Sequence, residues 1–469
     1  MPGGDTRPDL PPGGGLPGGR GDPPFGFALR GGYPRRISGT DAAFWAGGCR
    51  GLCPRPGRRK PVTGIFGPHR GEAGPVFNRD RALALLERAG LDGLIATTPE
   101  NVFYLSGFCG FSGRILRGVH ALALWLAREP ERPAVVVPRS DLDMVVQFGT
   151  AGAEVRPYGV FFVEVPAGSG EQWADRLLVE PAEPAAFIDV VRGVLQDLVR
   201  PGERIGLDEA GLPAGLVESL RADLGPGRLL PAGDLIRRVR AVKTPEEVRR
   251  LQRAAEIAEA AVADALAAVR EGMSEWELAA EFNSAVLRRG GWPGFSVIAF
   301  GPRTAYPNAV PAPEVRLRRG DIIRFDVGCI YQGYCSDISR TAVFGEPDLR
   351  VRERFRAIVA GEQAALERCR PGVAAAEVFE TAVAATRQAG IPGYRRHHVG
   401  HGVGLEYYDL PLLAPGQAMP LEAGMVLEVE TPYYELGFGG LQVEDTVLVC
   451  PDGPVLFTRP QADLIIAGV

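Results

Sequence analysis

The sequence predicts an α+β protein built from an α/β unit over residues 76–235 and an α+β unit over residues 240–469. Its length of 469 residues has room for two to four domains, and 45% hydrophobic with 23% charged residues is typical of globular proteins. In the first unit, short apolar runs alternate with helical patterns. In the second unit, helices with clear capping signals are followed by predicted strands, and turn signals separate these strands. These observations favour helices packed on sheets in both units.

Charge and hydropathy exclude several classes of protein. A formal net charge of -5 argues against a nucleic-acid binder or a protein bound to anionic membranes. The best apolar run, residues 121–127, is far shorter than the roughly 18 residues of a membrane span. Seven scattered cysteines, an odd number, do not form a disulfide framework. We therefore expect reduced thiols in a cytoplasmic protein.

The first 75 residues differ from the rest of the chain. They contain 20 Gly and 13 Pro, and 11 basic against 5 acidic residues, with no periodic apolar pattern. Such a segment buries too little apolar surface to offset its ordering entropy. One hypothesis is a mis-assigned start, with the natural protein beginning at or near Val76. The other is a disordered Gly/Pro-rich tail. We favour the first, and in both cases we expect deletion to leave function unchanged.

The first folded unit opens with a clear helix signal. Asn78 is placed to cap a helix that runs through Ala89 and stops at Gly90. Further along, apolar patterns predict strands at residues 91–96, 134–137 and 205–207 and a helix over 185–198. This alternation predicts an α/β domain, in which no residue cluster has an obvious catalytic spacing.

The second unit begins with two capping signals. Thr244 and Ser274 are each followed three residues later by a glutamate, the pattern of a capping box, and a third amphipathic helix is predicted over residues 352–368. Strand patterns occur at residues 296–300, 321–328, 338–344, 425–431 and 442–449. Helices packed on a mostly antiparallel sheet are therefore expected here.

Two predicted hairpins each bring a pair of carboxylates together. Asp326 and Asp337 lie on either side of a turn signal at residues 331–333. If they are directly opposite, their Cβ atoms are about 4.5–5.5 Å apart. Two unit charges at about 4 Å repel by roughly 4 kcal/mol at an effective dielectric of 20, so a positive group is expected between them. Glu430 and Glu444 repeat the arrangement around a glycine-rich connection.

A histidine-rich run completes the candidate site. Three of the five histidines, His397, His398 and His401, lie within five residues in a glycine-rich context. Four carboxylates and one imidazole form a hard, mostly oxygen ligand set. It suits two divalent ions, with Mn²⁺, Co²⁺ or Fe²⁺ favoured and Zn²⁺ also compatible.

Specific strings in both units carry a family resemblance. They are Asp326-Val-Gly, Tyr334-Cys-Ser-Asp337-Ile-Ser-Arg-Thr341, Val-Gly-His401-Gly-Val-Gly, Leu-Glu-Val-Glu430 and Val-Glu444-Asp445-Thr446. With gaps of 11, 64, 29 and 14 residues between the candidate ligands, residues 240–469 resemble the creatinase/prolidase/methionine aminopeptidase ("pita-bread") metallopeptidases, and in particular their Xaa-Pro dipeptidase (prolidase)-like members. Residues 76–235, with Asn101-Val-Phe-Tyr-Leu-Ser-Gly107, resemble the N-terminal domain of prolidases and creatinases.

The resemblance implies a dinuclear metal site and a hydrolytic mechanism. A hydroxide held between the two ions would attack the scissile amide, and one ion would polarise its carbonyl. Asp337 and Glu444 would bridge the ions, Glu430 would also handle the proton, and His397 would contact substrate. The implied metal ligands are Asp326, Asp337, His401, Glu430 and Glu444.

Two positions depart from the peptidase pattern. Asn308 and Tyr408 stand where typical members carry substrate-pocket histidines. Both can donate hydrogen bonds, but neither acts as acid and base near pH 7 as histidine does. The metal set is thus intact while the substrate pocket is altered.

Three functional classes are compatible with these features. The first is an Xaa-Pro dipeptidase or aminopeptidase, which the spacing favours. The second is a family hydrolase or lyase acting on a small non-peptide compound, like creatinase or ectoine hydrolase. The third, a binding module without catalysis, predicts lost ligands, whereas all five are present. The expected partners are a small peptide or amide substrate and a second copy in a homodimer, with no nucleic acid and no membrane.

Overall fold

The computed structural model describes residues 76–150, 152–164 and 185–468. The Gly/Pro-rich segment 1–75, on which the prediction of a tail or a mis-assigned start rests, lies outside the described residues. Within the described ranges, none of the helices combines the length and apolar character needed to cross a bilayer.

A six-stranded mixed sheet organises the first part of the chain. Its strand order is β4-β3-β2-β1-β5-β6, with β1 antiparallel to β2 and parallel to β5. The strands are β1 Gly93–Ala96, β2 Leu122–Leu126, β3 Ala134–Pro138, β4 Glu154–Tyr158, β5 Ile205–Leu207 and β6 Leu229–Pro231. The helices are α1 Arg79–Ala89, α2 Pro99–Ser106, α3 Ser112–Ile115, α4 Leu142–Phe148, α5 Phe187–Leu198, α6 Ala214–Leu224 and α7 Gly233–Ala241.

The first helix begins and ends where its sequence predicts. The Asn78 side chain accepts a hydrogen bond from the Arg81 backbone N–H, as an N-cap does. Gly90 ends α1 in the left-handed conformation, with φ of 62°. The predicted helix is therefore confirmed, together with the strands near residues 94, 135 and 206.

A ten-stranded sheet dominates the second part. Its central order is β12-β11-β13-β16-β10-β8-β7, with β17, β18 and β9 paired at the side; pairing is antiparallel except between β10 and β18. The helices are α8 Pro245–Ala267, α9 Glu275–Arg288, α10 Leu349–Arg368 and α11 Ala375–Gln388. The strands are β7 Trp292–Phe300, β8 Ile322–Tyr331, β9 Tyr334–Cys335, β10 Ile338–Phe344, β11 Gly400–Gly402, β12 Asp409–Leu412, β13 Val426–Glu430, β14 Tyr433–Glu435, β15 Gly439–Leu441, β16 Glu444–Leu448, β17 Val455–Leu456 and β18 Ile465–Ala467.

Both predicted capping boxes form. The Thr244 side chain accepts from the Glu247 backbone while the Glu247 carboxylate accepts from the Thr244 backbone, which satisfies two donors at the start of α8. Ser274 and Glu277 do the same for α9. These reciprocal bonds explain why two long helices start where they do.

Alternation along the strands separates the core from the polar face of the large sheet. Phe325 of β8 packs in the cluster of buried residues that contains α8 and α9, and Val429 of β13 packs in the cluster with α10 and α11. Neighbouring residues of a strand point to opposite faces. Asp326 and Glu430 therefore point to the face opposite these helix-packed residues.

One predicted pairing is wrong. Asp326 is opposite Ser339, and Asp337 precedes the first residue of β10. The turn is formed by Gln332 and Gly333, with φ of 50° and 86°, the positive angles of a two-residue hairpin turn. A pairing of Asp326 with Asp337 requires a turn centred between residues 331 and 332. The observed turn is centred one residue later, so the residue opposite Asp326 is two positions later, at Ser339.

Candidate metal centre

The register of four strands places polar side chains in one row across the large sheet. Adjacent strands β13, β16, β10 and β8 pair so that each member of the row is directly opposite the next. Period-two alternation then gives all of them the same face of the sheet. In order, the row is Glu430, Glu444, Ser339 and Asp326. The predicted pairing of Glu430 with Glu444 is confirmed.

A tight cluster of three potential ligands lies at this row. One carboxylate oxygen each of Asp337 and Glu444 and one ring nitrogen of His401 all lie within 4.8 Å of one another. All three side chains are buried. The structure thus groups these three predicted ligands directly, and the row places Glu430 and Asp326 on either side of Glu444 and Ser339.

The glycine before His401 leaves room for β11 to pair with β13. Gly400 has φ of 135°, and a Cβ atom there would lie 2.0 Å from the Glu428 carbonyl oxygen, so only glycine permits this approach. His401 Nδ1 is 3.1 Å from the Gly402 carbonyl oxygen. Since a carbonyl only accepts, Nδ1 carries the proton and Nε2 keeps its lone pair, as a metal-binding histidine requires.

The carboxylates are electrostatically incomplete by themselves. Burial raises the pKa of Asp326 to about 6 despite the nearby Arg324 charge. Burial, and then the negative charges around them, raise the pKa values of Asp337 and Glu444 well above the usual range. Asp337 Oδ1 is buried without a hydrogen-bond partner among the described residues. Oxygen donors in this condition fit divalent cations, which would restore their charged forms.

Glu430 differs from the other carboxylates because a polar side chain contacts each of its two oxygens. His398 Nδ1 lies 3.1 Å from Oε1, and Gln442 Nε2 donates to Oε2 at 3.2 Å. Burial would raise the pKa of Glu430, but the bond and charge of His398 and the charge of Arg396 outweigh burial and lower it. Glu430 is therefore ionised in this arrangement and able to accept a proton.

The two predicted substrate-pocket residues, Tyr408 and Asn308, and the predicted catalytic residue His397 occupy different places. The Tyr408 ring stacks on the His401 ring with centroids 3.8 Å apart, and 51% of the residue is exposed. Asn308 is exposed and follows Pro307, whose carbonyl binds Arg324 beside Asp326. His397 is exposed, and its ring packs edge-on against His398 with centroids 4.3 Å apart.

Sequence reasoning missed three residues of the site. His398, and not His397, contacts Glu430, although both belong to the same run. Arg324 and Gln442 are buried and connect the ends of the row. The available signals were an arginine two residues before Asp326 in an apolar strand and an amide two residues before Glu444.

Comparisons with known proteins agree with this architecture. Residues 249–451 match the model of metallopeptidase family M24, and residues 79–242 match the creatinase/prolidase N-terminal domain. The Xaa-Pro dipeptidase of Pyrococcus furiosus is 31% identical over 315 residues, which are 66% of this chain and 90% of that protein. The chain belongs to metallopeptidase family M24.

Further relatives support the assignment to family M24. The Xaa-Pro dipeptidase of Pyrococcus horikoshii is 34% identical over 259 residues, covering 55% of this chain and 74% of that protein. The crystal structure of the prolidase from P. horikoshii superposes with a TM-score of 0.66 at 26% identity, and the match covers 82% of this chain and 99% of that chain. The chain is thus a metallopeptidase-type hydrolase with the pita-bread fold, of a family that uses divalent metal ions.

Proposed function

We propose that this M24 protein hydrolyses the bond before proline in Xaa-Pro dipeptides or at the N-terminus of short peptides. The single observation that carries the proposal is the cross-strand row with His401 and Asp337 beside it. Relatives at 31% and 34% identity are named Xaa-Pro dipeptidases, which supports the choice of substrate.

Two divalent ions complete the proposed site. When bound, they supply Lewis-acid chemistry that lowers the pKa of a water and polarises a carbonyl group. Mn²⁺, Co²⁺ and Fe²⁺ suit the oxygen-rich donor set, and Zn²⁺ is also compatible. The residues proposed to hold the ions are Asp326, Asp337, His401, Glu430 and Glu444.

The remaining residues handle the proton and the substrate. Glu430, which contacts His398 and Gln442, would take a proton from the attacking water and return it to the leaving amine. Burial and the charge of His398 lower the pKa of His397, so a neutral imidazole is available at the surface for substrate contact. Tyr408 and Asn308 offer hydrogen-bond donors from opposite sides of the site.

One observation favours a second candidate function. Tyr408 covers a face of His401, at a position where a histidine is typical of the peptidases that the sequence resembles. A phenol there suits a substrate that needs orientation more than proton transfer, such as a small non-peptide amide. Hydrolysis or lysis of such a compound is therefore the alternative.

A metal-supplemented assay distinguishes these functions. Protein loaded with each of the four ions is tested on Xaa-Pro dipeptides, longer Xaa-Pro peptides, and small cyclic and guanidino amides. We expect turnover of the dipeptides, its loss with a chelator, and loss of activity and at least one bound ion in Asp337→Ala. Full activity in metal-free protein would reject the metal site, and turnover of the amides alone would establish the alternative.

We also propose a cytoplasmic homodimer. Five cysteines of the described residues are buried free thiols, which suits a reducing compartment. Sedimentation of the full chain tests the dimer, since a monomer at catalytic concentrations would contradict it.

A further inference from the structure

A fully buried guanidinium lies beside the carboxylate row. Arg324 precedes Asp326 by two residues on β8, and its Nη1 lies 3.4 Å from Asp326 Oδ2. The same nitrogen donates to Gln442 Oε1 at 2.8 Å, and Gln442 Nε2 donates to Glu430 Oε2 at 3.2 Å. Arg324 therefore connects, through one amide, the two carboxylates at opposite ends of the row.

The other nitrogen of Arg324 holds the loop that carries Asn308. Nη2 donates to the carbonyl oxygens of Tyr306 at 2.7 Å and Pro307 at 2.9 Å. The guanidinium also lies over the Tyr434 ring, 5.2 Å from its centroid, and the Tyr434 hydroxyl donates to Gln442 Oε1 at 3.0 Å. Only a planar group with several fixed donors makes these contacts together.

The charge of Arg324 favours the ionised form of Asp326, but it does not account for the other contacts of the guanidinium. A positive charge beside Asp326 repels any cation bound there, and burying a guanidinium is itself costly. The compensating gain is geometric, because β16 and β10 separate Glu430 from Asp326 and no backbone pair relates the two side chains directly.

We propose that Arg324 is a positioning residue that fixes Asp326, Glu430 and the Asn308 loop relative to one another. The inference rests on the proposed function, since it concerns the same ion site. In this proposal Arg324 positions Glu430 through Gln442, which contacts both side chains. Asp326 is held by the guanidinium itself.

Calorimetric Mn²⁺ titration and steady-state kinetics on an Xaa-Pro dipeptide test this role. Arg324→Met should weaken Mn²⁺ binding and lower kcat, each by about 10–100-fold, as losses of groups that orient metal ligands do. Arg324→Lys restores the charge but not the planar fork and should keep most of the defect in kcat. Gln442→Leu should also lower kcat, and it should weaken Mn²⁺ binding less than Arg324→Met does, because it removes the Glu430 contact while Arg324 still contacts Asp326.

Arg250→Met is the matched control. Arg250 is an equally buried arginine of α8, bonded to Glu246 and to the Gln332 carbonyl, away from the ion site. It should leave both measurements close to those of the unaltered protein. The same pattern in Arg324→Met and Arg250→Met would reduce the effect to general destabilisation and overturn the inference.

Other outcomes are equally decisive. Tighter Mn²⁺ binding by Arg324→Met would show that only charge matters, and full kcat in Arg324→Lys would show that the fork is dispensable; either overturns the inference. If Arg324→Met does not fold, an unchanged kcat in Gln442→Leu would overturn the inference instead. Absence of Mn²⁺ binding or turnover in the unaltered protein rejects the proposed function itself, whereas normal behaviour there with an unaffected Arg324→Met rejects only the role of Arg324.

Discussion

At the scale of single residues, the proposed ion site depends on hydrogen bonds that orient its side chains and leave certain atoms available as ligands. The Gly402 carbonyl oxygen accepts a hydrogen bond from Nδ1 of His401, which leaves Nε2 for a ligand. Ser339 donates to one oxygen of Glu444 at 2.8 Å, which orients that carboxylate. One Asp337 oxygen has no hydrogen-bond partner in the part of the chain that the structure describes, and a cation there would compensate it.

Tyr408 gives the sharpest single-residue prediction. Tyr408→His should raise kcat/KM on an Xaa-Pro dipeptide by at least about tenfold, because an imidazole beside His401 adds an acid and base that titrates near neutral pH. Steady-state kinetics with both ions saturating measure the change.

Tyr408→Phe is the control for that substitution, because it keeps the stacked ring and removes only the hydroxyl. It should not share the gain. A fall in dipeptide activity in Tyr408→His, with a parallel fall on a small amide, would instead identify the phenol as part of the pocket for a non-peptide substrate.

At the scale of elements, signals of short range in the sequence were sufficient for much of the fold. The caps at Asn78, Thr244 and Ser274 fixed three helix starts. Period-two patterns located strands of the large sheet. Strand β2 was not predicted, although its apolar run is like those of the fully buried strands β1 and β3, which were.

The candidate site was only partly predictable for a related reason. The family resemblance implied all five proposed ligands, and the geometry groups three of them tightly. The order of strands in the sheet is set by long-range packing, so the row through Ser339 and the bridge from Arg324 to Gln442 could not be obtained from spacing. The choice between His397 and His398 likewise depends on backbone direction at one loop.

The capping box of α8 predicts a pH dependence of stability. Burial raises the pKa of Glu247 to about 7. The Glu247 carboxyl group therefore binds a proton more tightly in the folded state than in the unfolded state. The stability that this protonation contributes is fully present below about pH 4.5 and is lost as the pH rises through about 7. Relative to Glu247→Gln, the free energy of unfolding should fall over this range by at most roughly 3 kcal/mol. Denaturant unfolding at several pH values measures it.

Glu277→Gln is the counterpart in the capping box of α9, where the glutamate side chain is partly exposed. The hydrogen bonds with Ser274 lower the pKa of Glu277, so the contribution of this group is lost only in acid. The difference between the unaltered protein and Glu277→Gln should therefore stay flat between pH 5 and pH 7. A flat profile for Glu247→Gln as well would contradict the assigned pKa.

At the scale of the whole molecule, one buried arginine connects the part of the chain with the six-stranded sheet to the part with the ten-stranded sheet, near the proposed ion site. Arg240 of α7 donates to Asn101 of α2 at 2.9 Å and pairs with Asp409 at 2.6 Å. Arg237, also of α7, donates to the Tyr408 carbonyl. The N-terminal part thus holds the segment that carries Tyr408, which gives the Asn101 motif a structural role.

Arg240→Met should destabilise the protein by about 3–5 kcal/mol, because it leaves the carboxylate of Asp409 buried with a weaker partner. Lys243 Nζ, 3.7 Å away, is too distant to replace the lost hydrogen bond. Chemical denaturation measures the loss, and KM should rise as the Tyr408 segment loosens.

Arg237→Met is the control, since its bond to the Tyr408 carbonyl is exposed, and its effect on stability should stay within about 0.5 kcal/mol. Equal effects of the two substitutions would show that the buried pair with Asp409 carries no special weight.

The row of side chains across β13, β16, β10 and β8 also bears on how the sheet acquires its correct alignment. Sliding any of these strands by one residue would turn its polar side chain to the helix-covered face. A misaligned sheet would thus lose its affinity for divalent ions, while the correctly aligned one gains stability from every ion it binds. Correct strand alignment and occupancy of the proposed ion site would therefore stabilise each other.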